Sequence, residues 1–405
     1  MPVAFGHPRI LAYVLAFGVG VATLTVAGLA TRNNEPTPTP PPPLATVPAP
    51  PAEKPADLHA PEPLGISDSL EYLALSPDGN LVVATAYHAP SHSMGFGYRD
   101  VRLLGVGPGQ QLGKTLERDG WWHTGTPSGV AMSPDGKQVA VAITNFDGKK
   151  ANPDVRDAYT SEVGIWDTAT GKQTATLTGS KAHQLYHVTF SPDGKYLAAG
   201  GAILNKTAQP DGGGVIMWSA VTGKMVWSNL EHKAIQTQFA FSPDGRLLAT
   251  AGNDRTLRVW ESLTGTLLKA IETQGYFVCS VSFSPNGKFL AGGGGDGIAR
   301  VWDVATGDEK QVLKGYKKNY NVPEKLFVRF LPNGTLLTAG AAEKDDGSLK
   351  VWDIETGTRV KEIANPNASV WWMDLTADGK TAVVATYVVG TWQKEQRLLI
   401  VPLTK

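Results

Sequence analysis

The sequence has only one cysteine, Cys279, among its 405 residues. A single thiol excludes an internal disulfide bond and any metal cluster held by several cysteines. Cys279 lies in the alternating run FVCSVSF. A reactive thiol needs a partly open, electropositive setting, so this run predicts a buried strand position instead.

The sequence also lacks an excess of either charge. It has 37 Lys and Arg residues against 37 Asp and Glu residues, and its pI is about 7.1. Surfaces that bind nucleic acid depend on clustered, excess basic residues. We therefore expect no nucleic-acid partner.

Catalytic signatures are missing as well. There is no G-x-S-x-G, no H-E-x-x-H and no paired-cysteine motif. GGGGDG at 292–297 joins two predicted strands, whereas a dinucleotide fingerprint opens a helix, and PGQQLGKT at 108–115 has a proline where a phosphate loop needs glycine. Two histidine pairs have four-residue spacing, His88 with His92 in a loop and His183 with His187 at a strand start. Outside a helix this spacing does not put both side chains on one face, so neither pair predicts a metal site. We expect no catalytic residue, no cofactor and no metal.

One long apolar run is present near the N-terminus. Ile10 to Ala30 carries no charge and would form a helix of about 31 Å, long enough to cross the hydrocarbon core of a bilayer. After a short tail at 1–9, we expect 10–30 to be a transmembrane anchor that leaves the rest of the chain on the exported side, in a periplasm or at a cell surface. The alternative is a cleaved signal peptide and secretion, for which Gly28 and Ala30 supply small residues.

Residues 31–63 are rich in proline and include TPTPPPPLATVPAPPAEKP. Proline at this density favours the extended polyproline II conformation. The segment is predicted to be a disordered or polyproline II spacer.

Two short phrases recur through the rest of the chain. The first is SPDG or a close variant, which begins at Ser76, Ser133, Ser191, Ser242, Ser284, Leu331 and Thr376. Proline presets φ for a turn, and Asp-Gly or Asn-Gly supplies its left-handed positions. The second is a strand such as VWD followed by a T-G turn. Together they predict a unit of four antiparallel strands, repeated seven times.

These phrases make the chain resemble the WD40-repeat family, and the resemblance runs over 64–405. It implies an all-β, seven-bladed propeller. The Trp-Asp pair is complete at Trp166, Trp302 and Trp352, is altered at Trp218 and Trp260, and has decayed to VRLLGVGPG and RLLIVPLTK in the first and last units. In the family, residues just before the first blade usually complete the last one. We therefore expect either a short closing strand near Leu58 or a last blade of only three strands.

In the family, a hydrogen-bonded His, Ser or Thr, Asp and Trp set supports each well-formed blade. The resemblance assigns the complete set only to the fourth unit, as His232, Thr250, Asp254 and Trp260. Partial sets are assigned to other units: His123, Trp166, Asp296, Trp302, Thr338, Asp346 and Trp352.

Function is expected where the repeats differ. The connection between the second and third strands is long in the first, second, third, sixth and seventh units and minimal in the fourth and fifth. Binding residues concentrate on loops held by a rigid scaffold, so this loop-rich end is the predicted binding face of a monomeric, non-catalytic scaffold for protein or peptide partners. Aromatic anchors dominate protein interfaces, and the candidates here are Tyr87, His88, Phe96, Tyr98, Trp121, Trp122, Phe146, Tyr159, Tyr186, Phe277, Tyr320, Trp371, Trp372 and Trp392.

The alternative is a propeller enzyme or small-ligand binder, such as a hydrolase, a lyase or a quinone-type dehydrogenase, with a site at the channel mouth. Its polar residues would be Asp100, His88, His123, His187, Arg156 and Asp157. Several titratable groups with perturbed pKa values in one closed pocket would favour it.

Overall fold

The computed structural model describes residues 69–88, 98–105, 114–116, 125–146, 159–181, 183–205, 210–273, 277–316, 325–340, 348–363, 368–388 and 396–403. The predicted helix at 10–30, the linker at 31–63 and the closing strand near Leu58 lie outside these residues. Within the described part of the chain, no helix is long and apolar enough to span a membrane.

The described residues form seven antiparallel sheets, which are the seven predicted blades. Neighbouring strands follow chain order within every sheet. The first three sheets consist of β1 (Ser69–Leu75), β2 (Leu81–His88) and β3 (Tyr98–Gly105); β4 (Gly125–Met132), β5 (Gln138–Phe146), β6 (Tyr159–Asp167) and β7 (Gln173–Lys181); and β8 (His183–Phe190), β9 (Tyr196–Leu204), β10 (Pro210–Ser219) and β11 (Met225–His232).

The remaining four sheets continue in the same order. They consist of β12 (Gln236–Phe241), β13 (Leu247–Gly252), β14 (Thr256–Glu261) and β15 (Leu267–Glu272); β16 (Val278–Phe283), β17 (Phe289–Gly294), β18 (Ile298–Asp303) and β19 (Glu309–Lys314); β20 (Leu326–Phe330), β21 (Leu336–Gly340), β22 (Leu349–Trp352) and β23 (Arg359–Ile363); and β24 (Ala368–Leu375), β25 (Thr381–Val388) and β26 (Gln396–Pro402). The decayed phrases of the first and last units are therefore strands, β3 and β26.

Each SPDG phrase forms the turn between the first and second strands of a blade. In the first blade, Ser76 Oγ donates to Asp78 Oδ1 at 2.6 Å and accepts the Leu81 N–H at 2.9 Å. The glycine of the phrase has positive φ in all seven turns, with 76° at Gly79, which a Cβ-bearing residue rarely adopts. The repeated phrase therefore builds seven equivalent turns, which share one end of the propeller, the turn end.

Buried apolar side chains fill the spaces between blades. One cluster joins the second and third blades, another the fourth and fifth, and the largest joins the sixth and seventh blades to the first. The contact between the fifth and sixth blades is close at Gly293, where an added Cβ would lie 1.9 Å from the Leu326 carbonyl oxygen. The hydrophobic core is thus a ring of interfaces between blades.

Contacts between the seventh and first blades close this ring. The Leu75 N–H donates to Asp374 Oδ2 at 3.0 Å, and the Ala377 N–H donates to the Pro77 carbonyl at 3.1 Å. The first blade gains a fragment of a fourth strand at Thr115, which bridges Arg102. Among the described residues, the seventh blade has the three strands β24, β25 and β26.

Candidate functional site

The aspartate of the Trp-Asp phrase stabilises a turn. Asp167 Oδ1 accepts hydrogen bonds from the Thr170 N–H and hydroxyl, both at 2.7 Å. These bonds from Thr170 hold the pKa of Asp167 below its ordinary value. Asp303 and Asp353 cap the same turn in their own blades. The aspartates of the Trp-Asp phrase are therefore architectural.

The structure brings His232, Thr250, Asp254 and Trp260 together. Trp260 Nε1–H donates to Thr250 Oγ1 at 3.0 Å, Thr250 Oγ1 lies 2.7 Å from His232 Nε2, and His232 Nδ1 lies 3.0 Å from Asp254 Oδ2. A neutral imidazole with its proton on Nδ1 satisfies this whole chain, because Nε2 then accepts the threonine hydroxyl. His232 ends β11, Thr250 and Trp260 lie in the fourth sheet, and Asp254 lies in the turn between β13 and β14. The set therefore ties the third blade to the fourth.

Electrostatics fix the charge states of this set. Burial lowers the pKa of His232, although the Asp254 carboxylate opposes this, so the imidazole is neutral near pH 7. Burial alone would raise the pKa of Asp254, but hydrogen bonds from His232 and Thr256 outweigh it and hold that pKa well below its ordinary value. A neutral His232 imidazole therefore donates a hydrogen bond to an ionised Asp254 carboxylate. This arrangement has a structural role.

In the sixth blade a tyrosine takes the place of the missing histidine. Trp352 Nε1–H donates to Thr338 Oγ1 at 2.9 Å, and Tyr316 Oη lies 3.1 Å from the same oxygen. The Lys350 ammonium, which is 1 % exposed, lies 4.0 Å above the Tyr316 ring and donates to Ser348 Oγ at 2.7 Å. This substitution was missed in the sequence, although Gly315-Tyr316 stands where the family has Gly-His.

The other partial sets are less complete. Asp296 pairs with Arg300 at 2.7 Å, and Trp302 is buried without a threonine partner because Gly292 leaves its Cβ space to the indole ring. Trp166 is fully buried. His123 and Asp346 lie outside the described residues.

The loop-rich end is formed by the connections between second and third strands. These connections run from His88 to Tyr98, from Phe146 to Tyr159, from Leu204 to Pro210, from Gly340 to Leu349 and from Val388 to Gln396. The fourth and fifth blades have only tight turns there, from Gly252 to Thr256 and from Gly294 to Ile298. The lopsided distribution of long connections is therefore present as expected.

Five of the predicted aromatic anchors have described side chains. Tyr159, Tyr186, Phe277 and Trp371 are partly exposed. Phe277 covers Gly295, and the Lys325 ammonium lies 4.2 Å above the Trp371 ring. The side chains of the remaining candidates lie outside the described set: Tyr87, His88, Phe96, Tyr98, Trp121, Trp122, Phe146, Tyr320 and Trp392.

Trp372 corrects one expectation. It is 9 % exposed and lines the central channel, so it does not present its ring on the outer surface of the loop-rich end. Its indole packs on Tyr72, His187 and Phe327, with ring centroids 5.5, 6.1 and 5.7 Å away. The reason is a β-bulge between Val370 and Trp372, which shifts the alternation of β24 by one residue.

Bulges recur at the same level of the inner strands. The pairing register skips one residue in β1, β4, β8, β12, β16 and β24. The skipped residues include two predicted anchors, Tyr186 in β8 and Trp371 in β24. Bulges re-aim a side chain out of the regular alternation, so they separate Tyr186 and Trp371 from the channel residues that follow them.

The channel contains a cavity of about 290 Å³, which we call the channel cup. Its lining comes from all seven inner strands, mostly from the residues just before the SPDG turns, and includes His187, Arg329, Trp372 and Asp374. The cup therefore lies toward the turn end, away from the long connections. Sequence reasoning placed only His187 and Trp372 among candidate residues and missed Arg329 and Asp374.

Polar side chains of the channel satisfy the free edges of the inner strands. Ser282 Oγ accepts the Phe330 N–H at 3.1 Å, and Gln238 Oε1 accepts the Val281 N–H at 2.9 Å. In each case a side chain of one blade caps the backbone of the next. Much of the channel's polarity is therefore explained by backbone groups that would otherwise lack a partner.

Of the polar residues suspected for a propeller enzyme or small-ligand binder, His187 lies in the channel cup with Arg329 and Asp374, and burial shifts the pKa of all three groups. The other suspected residues do not join it among the described side chains. Asp100 lies in β3, where Arg102 Nη2 approaches its Oδ2 at 3.1 Å, and the side chains of His88, His123, Arg156 and Asp157 lie outside the described set. Burial raises the pKa of the Cys279 thiol to about 11, so the thiol is protonated near pH 7. Among the described residues, no group of three His, Cys, Asp or Glu side chains could hold a metal ion.

Comparison with known proteins agrees with this architecture. The pattern of the family described as "WD domain, G-beta repeat" matches residues 171–209, 223–261, 265–303 and 308–353. Each match begins near the fourth strand of one blade, and most of them end at the third, Trp-bearing strand of the next blade. The His232 set also joins the fourth strand of one blade to the next blade. Four stretches of the propeller therefore match the WD40 repeat pattern.

The curated relatives are WD-repeat proteins or contain similar segments. The WD repeat-containing protein SL1-17 of Schistosoma mansoni is 29 % identical over 140 residues, which cover 27 % of this chain and 46 % of that protein. The meiotic recombination protein rec14 of Schizosaccharomyces pombe is 25 % identical over 211 residues, which cover 52 % of this chain and 55 % of that protein. The chain thus spans about half the length of these relatives. WD40 propellers generally serve as protein-interaction scaffolds.

Proposed function

We propose that this WD40 propeller is a monomeric, non-catalytic scaffold that binds protein or peptide partners on its loop-rich end. The observation that carries the proposal is the contrast between the uniform blades and the unequal connections at one end. Five blades have long connections there, and two have tight turns. A rigid frame with variable loops is the usual arrangement of a binding surface.

Two partly exposed aromatic residues mark where contact is expected. Trp371 and Tyr186 occupy bulge positions, and Lys325 places a cation over the Trp371 ring. Trp and Tyr are the side chains that most often dominate interface energetics, and a neighbouring cation favours partners with acidic or carbonyl groups.

The experiment compares variants at the two ends of the propeller. Partners are captured with the full chain and identified, and the Kd of the purified partner is measured for Trp371→Ala and Tyr186→Ala. Matched controls are Val221→Ala and Leu263→Ala, which remove exposed apolar side chains beside the T-G turns at the turn end. We expect each aromatic variant to weaken binding about 10- to 30-fold and the controls to leave it unchanged. Unchanged binding in both aromatic variants would show that the surface is misplaced.

We also propose that residues 10–30 anchor the propeller in a membrane, with the blades on the exported side. The support is the uncharged run itself and the proline-rich spacer that follows it. The test is extraction of the full chain from membranes with alkaline carbonate, beside a variant that lacks 10–30. Release of the full chain into the soluble fraction would refute anchoring, and cleavage at the end of the run would favour secretion.

A further inference from the structure

The channel cup combines features that ordinary inter-blade packing does not explain. It is a cavity of about 290 Å³ with an arginine, an aspartate, a histidine and a tryptophan in its wall. It lies toward the turn end, so it is separate from the surface proposed above for protein partners. The volume suits a small molecule of roughly amino-acid size.

Two buried nitrogen atoms of the cup have no hydrogen-bond partner among the described residues. They are His187 Nδ1 and Trp372 Nε1, and the two side chains are 8 % and 9 % exposed. An indole N–H is only a donor, and leaving a buried donor unpaired costs about 1–3 kcal/mol. The region around these rings therefore favours a ligand that carries hydrogen-bond acceptors.

The charged pair of the cup is incompletely matched. Arg329 Nη1 donates to the Val328 carbonyl at 3.0 Å and to Gln238 Oε1 at 3.3 Å, so the guanidinium is held in place by uncharged groups. Its Nε lies 3.9 Å from Asp374 Oδ1, beyond hydrogen-bond distance. Asp374 Oδ2 is occupied by the Leu75 N–H at 3.0 Å.

The Arg329 and Asp374 side chains are 20 % and 29 % exposed in the channel, and neither has an opposite charge at hydrogen-bond distance among the described residues. Partial desolvation lowers the pKa of Arg329 and raises the pKa of Asp374, and their mutual attraction opposes the two shifts. Each group would therefore gain from an opposite charge at hydrogen-bond distance. An anion without a positive group would be repelled by the Asp374 carboxylate. A cation without a negative group would be repelled by the Arg329 guanidinium.

The inner-strand edges add uncharged donors and acceptors. Leu75 and Phe330, each one residue before its turn, have their N–H groups capped by a side chain of the preceding blade. Among the described residues, no such cap is found on the corresponding N–H groups of Met132, Phe241 and Phe283. The preceding blades carry Ala74 and Ala240 before Met132 and Phe283, and the Thr189 hydroxyl, which precedes Phe241, lies 3.4 Å from the Phe190 carbonyl oxygen instead. An edge residue presents its N–H and C=O on the same side, so these positions offer both kinds of partner.

We propose that the channel cup binds a small zwitterion, an α-amino acid, with its carboxylate on the Arg329 guanidinium and its ammonium group on the Asp374 carboxylate. The zwitterion carries its two charges a few ångströms apart, as the cup does, and it satisfies both at once. The free edges of the inner strands complete the site around the ligand. Trp372 and His187 close it on the side of the loop-rich end.

The test uses the full chain and a panel of standard L-α-amino acids, screened by thermal shift and followed by calorimetry. The tightest binder is compared with the carboxylic acid that lacks its amino group and with the amine that lacks its carboxylate. We expect saturable binding of the amino acid and at least a tenfold weaker Kd for both analogues, since each loses one charge-assisted contact.

Variants assign the site. Arg329→Gln and Asp374→Asn should each raise the Kd by about tenfold or more, while Arg359→Gln, which removes an exposed guanidinium on β23, should leave it unchanged. Asp374→Asn keeps an oxygen for the Leu75 N–H. If Arg329→Gln does not fold, Arg329→Lys replaces it, and its Kd should also rise because an ammonium group cannot hold the carboxylate with two nitrogens as a guanidinium does. The proposal is wrong if no amino acid binds, if the deaminated acid binds as tightly as the amino acid, or if folded variants at 329 and 374 bind like the unmodified chain. None of these outcomes bears on the loop-rich end.

Discussion

The hydrogen-bonded set of the fourth blade makes a quantitative prediction for Thr250→Val. Thr250 is fully buried, and its hydroxyl receives the Trp260 N–H at 3.0 Å and lies 2.7 Å from His232 Nε2. Valine has nearly the same shape, so it creates no cavity but leaves both nitrogen atoms without a partner. At about 1–3 kcal/mol for each unsatisfied buried group, we expect the free energy of unfolding to fall by about 2–4 kcal/mol, since His232 keeps its contact with Asp254.

The assay is urea unfolding monitored by tryptophan fluorescence, together with hydrogen exchange. The matched control is Thr250→Ser, which keeps the hydroxyl and removes only a methyl group, for a cost near 1 kcal/mol. Exchange should accelerate first in β11 and β14, because the set joins these strands across two blades. If valine is no more destabilising than serine, the hydroxyl does not link the two nitrogen atoms as the structure indicates.

Three further predictions concern other buried groups. Tyr316→Phe should lower the free energy of unfolding by about 1–2 kcal/mol in urea, because the Tyr316 hydroxyl lies 2.8 Å from the Thr338 carbonyl oxygen; no change would show that the tyrosine does not replace the family histidine. Burial lowers the pKa of His187 from 6.5 to about 3, so the unfolded chain binds one more proton between these values and the free energy of unfolding should fall by about 1.4 kcal/mol per pH unit as the pH drops through that window. In His187→Phe this part of the slope should vanish, and an unchanged pH profile would contradict the assignment. Cys279 should resist thiol reagents in the native chain and react on unfolding, since it is buried and its thiol pKa is about 11; rapid native labelling would contradict its placement.

The periodic features of the sequence were sufficient to predict the architecture. Seven turn phrases predicted seven sheets, because Pro presets φ in most of the phrases and the Gly of each phrase adopts the positive φ that its turn requires. The set of His232, Thr250, Asp254 and Trp260 could also be identified in advance, because the resemblance to the WD40-repeat family implies it. Gly297 likewise has positive φ in the turn between β17 and β18, so GGGGDG joins two strands as expected.

Other features depend on contacts between blades and were harder to read. Trp371 and Trp372 are adjacent, and only the bulge in β24 decides which of them lies in the channel. Arg329 and Asp374 carry no motif, yet each stands two residues before the first residue of its turn phrase. A comparison of equivalent positions across the seven units would have aligned them, because the ring brings equivalent positions to the same level of the channel.

The central claim is that partners bind at the loop-rich end, and site-specific photo-cross-linking tests it most directly. A photoreactive phenylalanine derivative is placed singly at Tyr186 and Trp371, and, for comparison, at Val221 and Leu263 near the turn end. Illumination of the full chain with its captured partner should give cross-linked product from the first two positions and little from the other two. Cross-linking mainly from Val221 and Leu263 would contradict the account, because it would place the partner on the opposite end of the propeller.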